Sequence, residues 1–500
     1  MCGIFGIISN KNDIDSSCIQ HRGPDNTTTK KYSNISFTFY RLSINDLSEQ
    51  ANQPFEDENS IWMCNGEIYN FKKLTHKYGI ICKSKSDCEP ISQLYNTLGI
   101  NSFCRVLDGV FAISLYDKNL NTLYLIRDMV GVRPIYYYYD ADVFTFASEG
   151  KTLNFVKNRE NIRQLPPSSY LEYDMNNKSM SVRQYFDFDR IAIDNTIKVT
   201  DGCSKINELL TNSIRKRLIS DRPIGCLLSG GLDSSLVASI LSKLLKEQGK
   251  TLKTFSVGFE DSEDLKYAKK VSKYLKTEHY ELILDYKDVI ARIPEVIMHI
   301  ESNDITTIRA SVGMYMLSEY ISKNHPEKVI FSGEGSDEIF GGYLYFNRAP
   351  SYRDFELECT KLVKQLYYFD VLRADRCTAA FGLELRVPFL DKDFIQYVLS
   401  IPGYLRKMCE LEKYMLRISF NTEYLPNEIL MRKKEGFSDG VGGIKKPFYK
   451  HIQDSLEGGD EIEREWYKDI YYRRYENIPI PHYWMPNWIE TNNPSGRILL

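Results

Sequence analysis

Up to about Phe188 the hydrophobic positions fall in short runs. Ser36-Phe-Thr-Phe-Tyr40 alternates between polar and apolar residues. Val110–Tyr116 is apolar and bounded by Asp108-Gly109 and Asp117-Lys118. Thr122–Ile126, Pro134–Tyr139 and Val143–Ala147 follow, with short turns between them. Runs at this spacing predict antiparallel strands in two packed sheets. Four consecutive tyrosines, Tyr136–Tyr139, have the composition of a base-stacking platform. Alternation in a half-buried strand accounts for them equally well in chemistry and better in pattern.

Pro166-Pro167-Ser168-Ser169 and the polar stretch Asp174–Lys178 close this half, and a polar connection at 189–202 follows. The pattern then changes to helix alternating with single strands. Ile206–Leu218 is amphipathic, and Ile224–Leu228 is a short apolar run. Leu232, Leu236, Val237, Ile240, Leu241, Leu244 and Leu245 recur at helical spacing until Gly249. Lys253–Gly258 and Lys328–Phe331 read as further strands. This alternation predicts a parallel sheet with crossover helices. The expected organisation is α/β throughout, with one unit over 2–188 and a second over 203–500. There are no repeats or low-complexity segments. The stretch 455–500 is rich in charge, Tyr and Trp and displays no chemistry of its own.

At 500 residues the chain has room for more than one domain, at roughly 150 residues each. Apolar residues make up 43% and charged residues 26%, as in ordinary soluble domains. The 64 basic and 67 acidic residues leave a net charge of -3. That balance gives no electrostatic case for nucleic acid or an anionic membrane surface. No apolar run is long enough to span a bilayer. The opening MCGIFGIISN has no basic segment before its apolar stretch, so it does not read as a signal peptide. A cytoplasmic location is expected; a homodimer is left open. The 11 cysteines are an odd number without a Cys-x-x-Cys pair, so neither a disulfide framework nor a zinc site is expected.

Cys2 stands apart from the other cysteines. A small residue after Met1 permits removal of that methionine, leaving a thiol beside a free α-amine. Such a pair is an activated nucleophile. By residue type alone the segment is equally an edge strand with an inert thiol. Asn65-Gly66 follows the apolar run Ile61–Cys64. Its side-chain amide and accessible backbone N–H suit an oxyanion hole, although Asn-Gly is also a leading turn signal. Arg22 and Arg41 are each able to pin a carboxylate.

Cys2-Gly-Ile, His21-Arg-Gly-Pro-Asp25, Arg41-Leu-Ser-Ile44, Asn65-Gly-Glu-Ile-Tyr-Asn70 and Asp108-Gly-Val-Phe-Ala112 together resemble the glutaminase domain of class II, N-terminal-nucleophile amidotransferases. The resemblance implies an αββα sandwich in which Cys2 attacks the glutamine side-chain amide. It implies that Asn65 and Gly66 stabilise the oxyanion. Arg41, Leu42, Ser43, Ile44, Asn45, Glu67 and Asp87 would hold glutamine, with Arg41 on its carboxylate and Asp87 on its amine.

A second motif, Leu227-Leu-Ser-Gly-Gly-Leu-Asp-Ser-Ser235, joins a strand to a helix. Glycines and helix-start N–H groups attract anions. Ser229, Ser234 and Ser235 add hydroxyls. There is no Walker lysine. Asp233 beside phosphate calls for a cation, hence Mg²⁺. On composition alone an N-cap cluster explains the segment as well. The motif resembles the pyrophosphate loop of the ATP pyrophosphatase superfamily. Ser332-Gly-Glu-Gly-Ser-Asp-Glu338 also follows a strand and offers Asp337 as a metal ligand.

A glutaminase joined to this loop resembles the glutamine-hydrolysing asparagine synthetases. Asp304–Ser311, Asp370–Asp375, Glu384–Asp391, Lys434–Asp439 and His482–Pro486 look like further blocks of that family. Lys433 and Gly436 stand where its pattern has Pro and Ala. The resemblance implies ATP as substrate, with Leu227, Ser229, Gly230, Gly231, Asp233, Ser234, Val257, Ser332, Gly333 and Lys434 on the nucleotide. Glu334 would lie by a β-aspartyl-AMP intermediate, and Thr306, Thr307 and Arg309 would hold aspartate. A fold-keeping pseudoenzyme and an enzyme amidating another carboxylate are the competing readings.

Overall fold

The computed structural model describes residues 1–9, 14–409, 411–433, 447–475, 478 and 485–489. The alternating runs of the first half form two six-stranded sheets. One has the order Arg163–Gln164, Tyr136–Tyr139, Phe144–Ala147, Gly3–Ile8, Ile35–Arg41, Asn26–Tyr32. The other runs Ser179–Gln184, Ser169–Asp174, Thr122–Arg127, Gly109–Asp117, Ser60–Ile68, Phe55–Glu56. Their inner faces share a core of Ile4, Ile8, Phe37 and Phe39 with Ile61, Met63, Leu123 and Leu125. Helices Phe71–Tyr78 and Ile91–Val106 cover the outer face of the second sheet through Leu74, Ile91, Leu94 and Phe103. Short 3₁₀ turns, Ser17–Arg22 and Gly150–Leu153, lie over the first. These are the two packed antiparallel sheets anticipated from the strand spacing, and the tyrosine run is one of their strands.

The second half builds a five-stranded sheet in which every neighbouring pair is parallel. Its order is Glu278–Ile283, Lys253–Gly258, Ile224–Leu227, Val329–Phe331, Glu384–Arg386. In sequence terms that is 3-2-1-4-5. The order reverses between the first and fourth strands, so the turns leaving Leu227 and Phe331 open side by side into one crevice. Glu384–Arg386 is only three residues long, too short for a hydrophobic period to reveal it.

The helix anticipated from Ile206 begins at Val199 and runs to Lys216. Its first turn, Val-Thr-Asp-Gly, is polar enough that the apolar stripe starts only at Ile206. All eleven cysteines are free. No helix among the described residues is long and apolar enough to cross a membrane.

Charged side chains fill the seam between the two halves. Glu149 is within 2.8 Å of Arg22 and 2.7 Å of Arg376, and Arg376 is 2.8 Å from Glu301. Asp375 lies 2.9 Å from Arg22 and 3.3 Å from Arg133. Glu301 also accepts the backbone N–H groups of Gly150 and Lys151 at 3.0 and 2.6 Å. Arg22, Arg133, Glu149, Asp375 and Arg376 are almost wholly buried. Removing one partner of such a network leaves an uncompensated buried charge, so it fixes the two halves in one arrangement.

Two candidate active sites

Cys2 precedes the strand Gly3–Ile8, which pairs antiparallel with Ile35–Arg41. Just past that pairing, the Leu42 N–H points at the Cys2 Sγ from 3.4 Å, and Sγ is 3.6 Å from the Leu42 carbonyl. The Cys2 carbonyl accepts Arg22 Nε at 3.0 Å. Burial pushes the thiol pKa up, against the neighbouring α-ammonium and the Leu42 N–H. The thiol is thus held protonated and needs a base to become a nucleophile. Met1 is buried as well; its α-amine donates to the Leu383 carbonyl at 3.2 Å, and burial lowers that amine to about 5.

Along Ser60–Ile68 the side chains alternate, so Ile61, Met63, Asn65 and Glu67 face the first sheet. The Asn65 carboxamide is fully buried, and neither its oxygen nor its nitrogen has a hydrogen-bond partner. An unpaired buried amide is costly, and an oxygen arriving beside it would satisfy it. Gly66 lies against Val110 and Phe111 so closely that a Cβ would come within 2.0 Å of the Val110 carbonyl oxygen. Only glycine fits there.

Asn45 donates to Glu67 and, at 3.3 Å, to Asp87, whose other oxygen accepts the Ile68 N–H at 2.7 Å. Burial raises the pKa of both carboxyls; for Glu67 the charges of Asp87 and Glu384 add to it. Two crowded buried carboxyls attract a cation. Arg41 gives its guanidinium to neutral carbonyls, Ser48 O at 2.8 Å, Asn52 Oδ1 at 2.7 Å and Asp46 O. Among the described residues it has no salt bridge, so its charge is available to an anion. Ser43 N–H is bound by Asp25 at 2.8 Å, and the carbonyls of Ser43 and Ile44 accept from Arg222 and Asp221 across the seam.

Sequence reasoning missed Arg386. Its guanidinium is 3.8 Å from Glu67 and 2.8 Å from Glu384, while its carbonyl accepts the Ser332 N–H at 2.9 Å. One residue of the edge strand therefore touches the first site with its side chain and the second with its backbone. The block Glu384–Asp391 was visible in the sequence, but the partners lie in distant segments.

In the second site Gly230 takes φ +73°, and a Cβ there would sit 2.4 Å from the Ala268 nitrogen. The loop is braced internally: Ser234 Oγ lies 3.0 Å from Ser229 Oγ and accepts the Ser229 N–H at 3.2 Å, and Ser229 Oγ accepts the Gly231 N–H at 3.3 Å. Leu227 pairs with Phe255, and Val257 projects from the same face two residues further on. Gly333 abuts the loop, 2.8 Å from the Ser234 nitrogen to a built Cβ. Ser332 Oγ is 3.4 Å from Glu334, and Glu334 pairs with the buried Arg373 at 2.8 Å.

Lys413, unremarked in the sequence, is buried with its ammonium 2.6 Å from Asp233 and 2.7 Å from Asp337. The two proposed metal ligands thus face each other and share a cation. Asp233 also accepts Ser336 Oγ at 2.8 Å. Two carboxylates beside the Leu227–Ser235 loop fit the donor set of Mg²⁺, which takes one or two carboxylates and completes its shell from phosphate and water. Among the described residues no cluster of three His, Cys, Asp or Glu could hold a metal without such help. Lys434 and the block that follows it lie outside the described residues.

Thr306, Thr307 and Arg309 sit in the first turns of the helix Ile305–Asn324. Thr307 gives both its N–H and its hydroxyl to Asp304, at 2.8 and 2.7 Å. Arg309 is buried and binds Glu463 through Nε and Nη2 at 2.9 and 2.5 Å, and Asp460 at 2.9 Å. Its pKa is raised by these carboxylates despite burial. Sequence reasoning placed a substrate carboxylate where the structure places two carboxylates of the helix Asp460–Arg474.

Two family models match the chain. One, Glutamine amidotransferase domain, covers residues 1–198, and the other, Asparagine synthase, covers 205–359 and 352–477. That pairing, with the sandwich and the switch-point loop, defines a two-domain amidotransferase. The asparagine synthetases [glutamine-hydrolyzing] of Gallus gallus and Homo sapiens are each 40% identical to it over 553 aligned positions. That of Cricetulus griseus is 41% identical. Each alignment takes in 100% of this chain and 98% of the relative. The chain belongs to the glutamine-hydrolysing asparagine synthetase family.

Proposed function

We propose that the protein makes L-asparagine from L-aspartate and ATP, with glutamine as nitrogen donor. The full-length likeness to the named synthetases supports the overall reaction. The observation that carries the local chemistry is the unpartnered, buried Asn65 amide on the face turned to Cys2's sheet.

In this reading Met1 is removed, and the freed α-amine of Cys2 takes the thiol proton that burial otherwise holds in place. The thiolate attacks the glutamine side-chain carbon. Asn65 and the Gly66 N–H bind the developing oxyanion. Ammonia leaves, and water releases glutamate from the thioester. Arg41 binds the glutamine carboxylate, and Glu67 and Asp87 receive its ammonium; Leu42, Ser43, Ile44 and Asn45 complete the wall.

The second reaction activates aspartate, because a carboxylate is a poor electrophile. Its β-carboxylate oxygen bonds to the α-phosphorus of ATP, and pyrophosphate leaves. Ser229, Gly230, Gly231 and Ser234 bind the phosphates. Leu227 and Val257 flank the base, Ser332 and Gly333 touch the nucleotide, and Lys434 completes the phosphate contacts. Mg²⁺, when bound, neutralises phosphate charge; Asp233 and Asp337 would hold it, with Lys413 as the protein's own cation beside them. Thr306, Thr307 and Arg309 hold aspartate, which requires Arg309 to exchange partners. Ammonia then attacks the acyl carbon next to Glu334, and AMP leaves.

Ammonia released into water would be protonated and lost, so a dry passage between the domains joins the two sites in this reading. The units are 2–188 and 203–500, acting in the cytoplasm, as monomer or homodimer. The test is product analysis with ATP, Mg²⁺, aspartate and glutamine. Equimolar asparagine, AMP and pyrophosphate are expected; ADP and phosphate, or another amidated acid, would overturn the assignment.

A further inference from the structure

A cavity of about 560 Å³ opens at the domain boundary, lined by residues to which the proposed reaction gives no role. Leu107, Phe111, Met129, Tyr185 and Phe186 give it an apolar, partly aromatic wall, and Arg105, Arg190 and Lys392 stand around it. Its one acidic lining residue, Asp187, is 3.4 Å from Arg190. Arg105 and Lys392 have no salt bridge among the described residues; Lys392 donates to the Arg105 carbonyl at 2.6 Å. Arg105 therefore remains without an ion pair among the described residues beside an apolar wall, and Lys392, within electrostatic reach of Asp108, Asp391 and Asp393, adds a second positive charge at the rim.

The wall is held in place. Tyr185 donates to the Arg127 carbonyl at 2.8 Å, and Phe186 packs edge-on against Phe188 at 5.1 Å. The Met129 carbonyl accepts Ser168 Oγ at 2.7 Å. A preformed pocket of this size with a few placed charges suits a small organic ligand. An apolar lining with three cations and one carboxylate among its residues selects an organic anion carrying a ring or branched apolar body.

The cavity touches both units: Lys392 and Gln396 belong to the helix Lys392–Ser400 of the second. On the other side Gly109 and Phe111 belong to the strand Gly109–Asp117, where Phe111 is the register partner of Gly66. A Cβ on Gly66 would lie 2.6 Å from the Phe111 Cα, so the strand backbone that lines the cavity is packed against the oxyanion glycine. A shift of that strand by a few tenths of an ångström alters the position of the Gly66 N–H.

We propose that this cavity is an effector site for a small apolar organic anion, whose occupancy changes the rate of glutamine hydrolysis. The second clause rests on the glutaminase reading above; binding itself does not.

The test uses the full chain and 8-anilinonaphthalene-1-sulfonate as probe. Fluorescence titration should show one saturable site per chain. Arg105→Glu should weaken it at least tenfold, and Gln396→Trp, which fills the cavity from the helix side, should abolish it. Arg190→Glu serves where Arg105→Glu fails to fold. At saturating probe, glutamine hydrolysis should change at least twofold, while ammonium-dependent synthesis should move less. Unsaturable binding, or affinity within twofold of wild type in both folded variants, would show that the probe binds elsewhere and overturn the site. Saturable binding with an unchanged hydrolysis rate would overturn the effector role. A chain that hydrolyses no glutamine without probe would remove the glutaminase reading, and the effector role with it.

Discussion

Lys413 carries its ammonium to within 2.6 Å of Asp233, a residue 180 positions earlier in the chain. Lys413 is buried and Asp233 partly buried beside the Leu227–Ser235 loop, and Asp337 shares the same cation at 2.7 Å. Asp233→Asn should abolish pyrophosphate release while glutamine hydrolysis stays within about twofold of wild type. Lys413→Met should lose the same activity and also destabilise the fold by about 1–3 kcal/mol, because it leaves two partly buried carboxylates without their cation. The double variant should regain part of that stability but no activity. Pyrophosphate release and urea denaturation measure the two effects; full synthesis in Asp233→Asn would confine Asp233 to its structural contacts with Lys413 and Ser336.

Cys2→Ala should eliminate glutamine hydrolysis and glutamine-dependent synthesis, and ammonium salts should still support asparagine formation. Cys2→Ser should fail too, since a hydroxyl is a far weaker nucleophile near neutral pH. Intact mass should show a chain beginning at Cys2. A protein that keeps Met1 and hydrolyses glutamine at full rate would end the N-terminal-nucleophile reading.

Arg309 is held by Glu463 and Asp460, so its loss has two separable consequences. Arg309→Ala should raise the aspartate KM by at least tenfold with little change in the ATP KM, and should lower thermal stability. Glu463→Gln keeps the shape and weakens the competitor, so it should not raise the aspartate KM. Equal weakening toward aspartate and ATP in Arg309→Ala would confine Arg309 to anchoring the helix Asp460–Arg474.

His299 lies in the seam, its ring edge-on to His21 at 5.0 Å. Burial lowers its pKa from 6.5 to about 3. The unfolded chain therefore takes up a proton below about pH 6.5 that the folded chain refuses until about pH 3. Stability falls as pH drops through that window. Between pH 6.5 and 5 the loss from this one group should be about 1–2 kcal/mol. Urea titrations of wild type and His299→Gln at pH 7 and 5 should show a shallower pH dependence in the variant; parallel curves would assign the acid sensitivity to other groups.

The two sites differ in how far they could be read from sequence. Cys2, Asn65 and Gly66 lie in short contiguous segments that carry the resemblance, so their candidate chemistry was legible there. The strand–loop–helix at Leu227–Ser235 is likewise local. Lys413 and Arg386 gave no such signal: each acts through one charge placed against segments far away in the chain, and no local period records that. Arg309 was recognised as a cation for a carboxylate, but which carboxylate stands opposite is a matter of how the helix Asp460–Arg474 docks.

Period-two alternation and the later switch to helical spacing, both set by which faces must leave water, determined two stacked sheets followed by a parallel one. Contiguous motifs determined where a thiol, an amide and a glycine-rich strand–helix loop would be. Only the tertiary structure decided what stands between those parts. The strand order 3-2-1-4-5 brings the loops after Leu227 and Phe331 together. The edge strand Glu384–Arg386 joins Glu67 to Ser332. The seam of Arg22, Glu149, Arg376 and Glu301 locks the halves together. Hydrophobic burial is written along the chain as a repeating pattern. The pairing of buried charges depends on desolvation and distance between remote segments, and these exist only once the chain has folded.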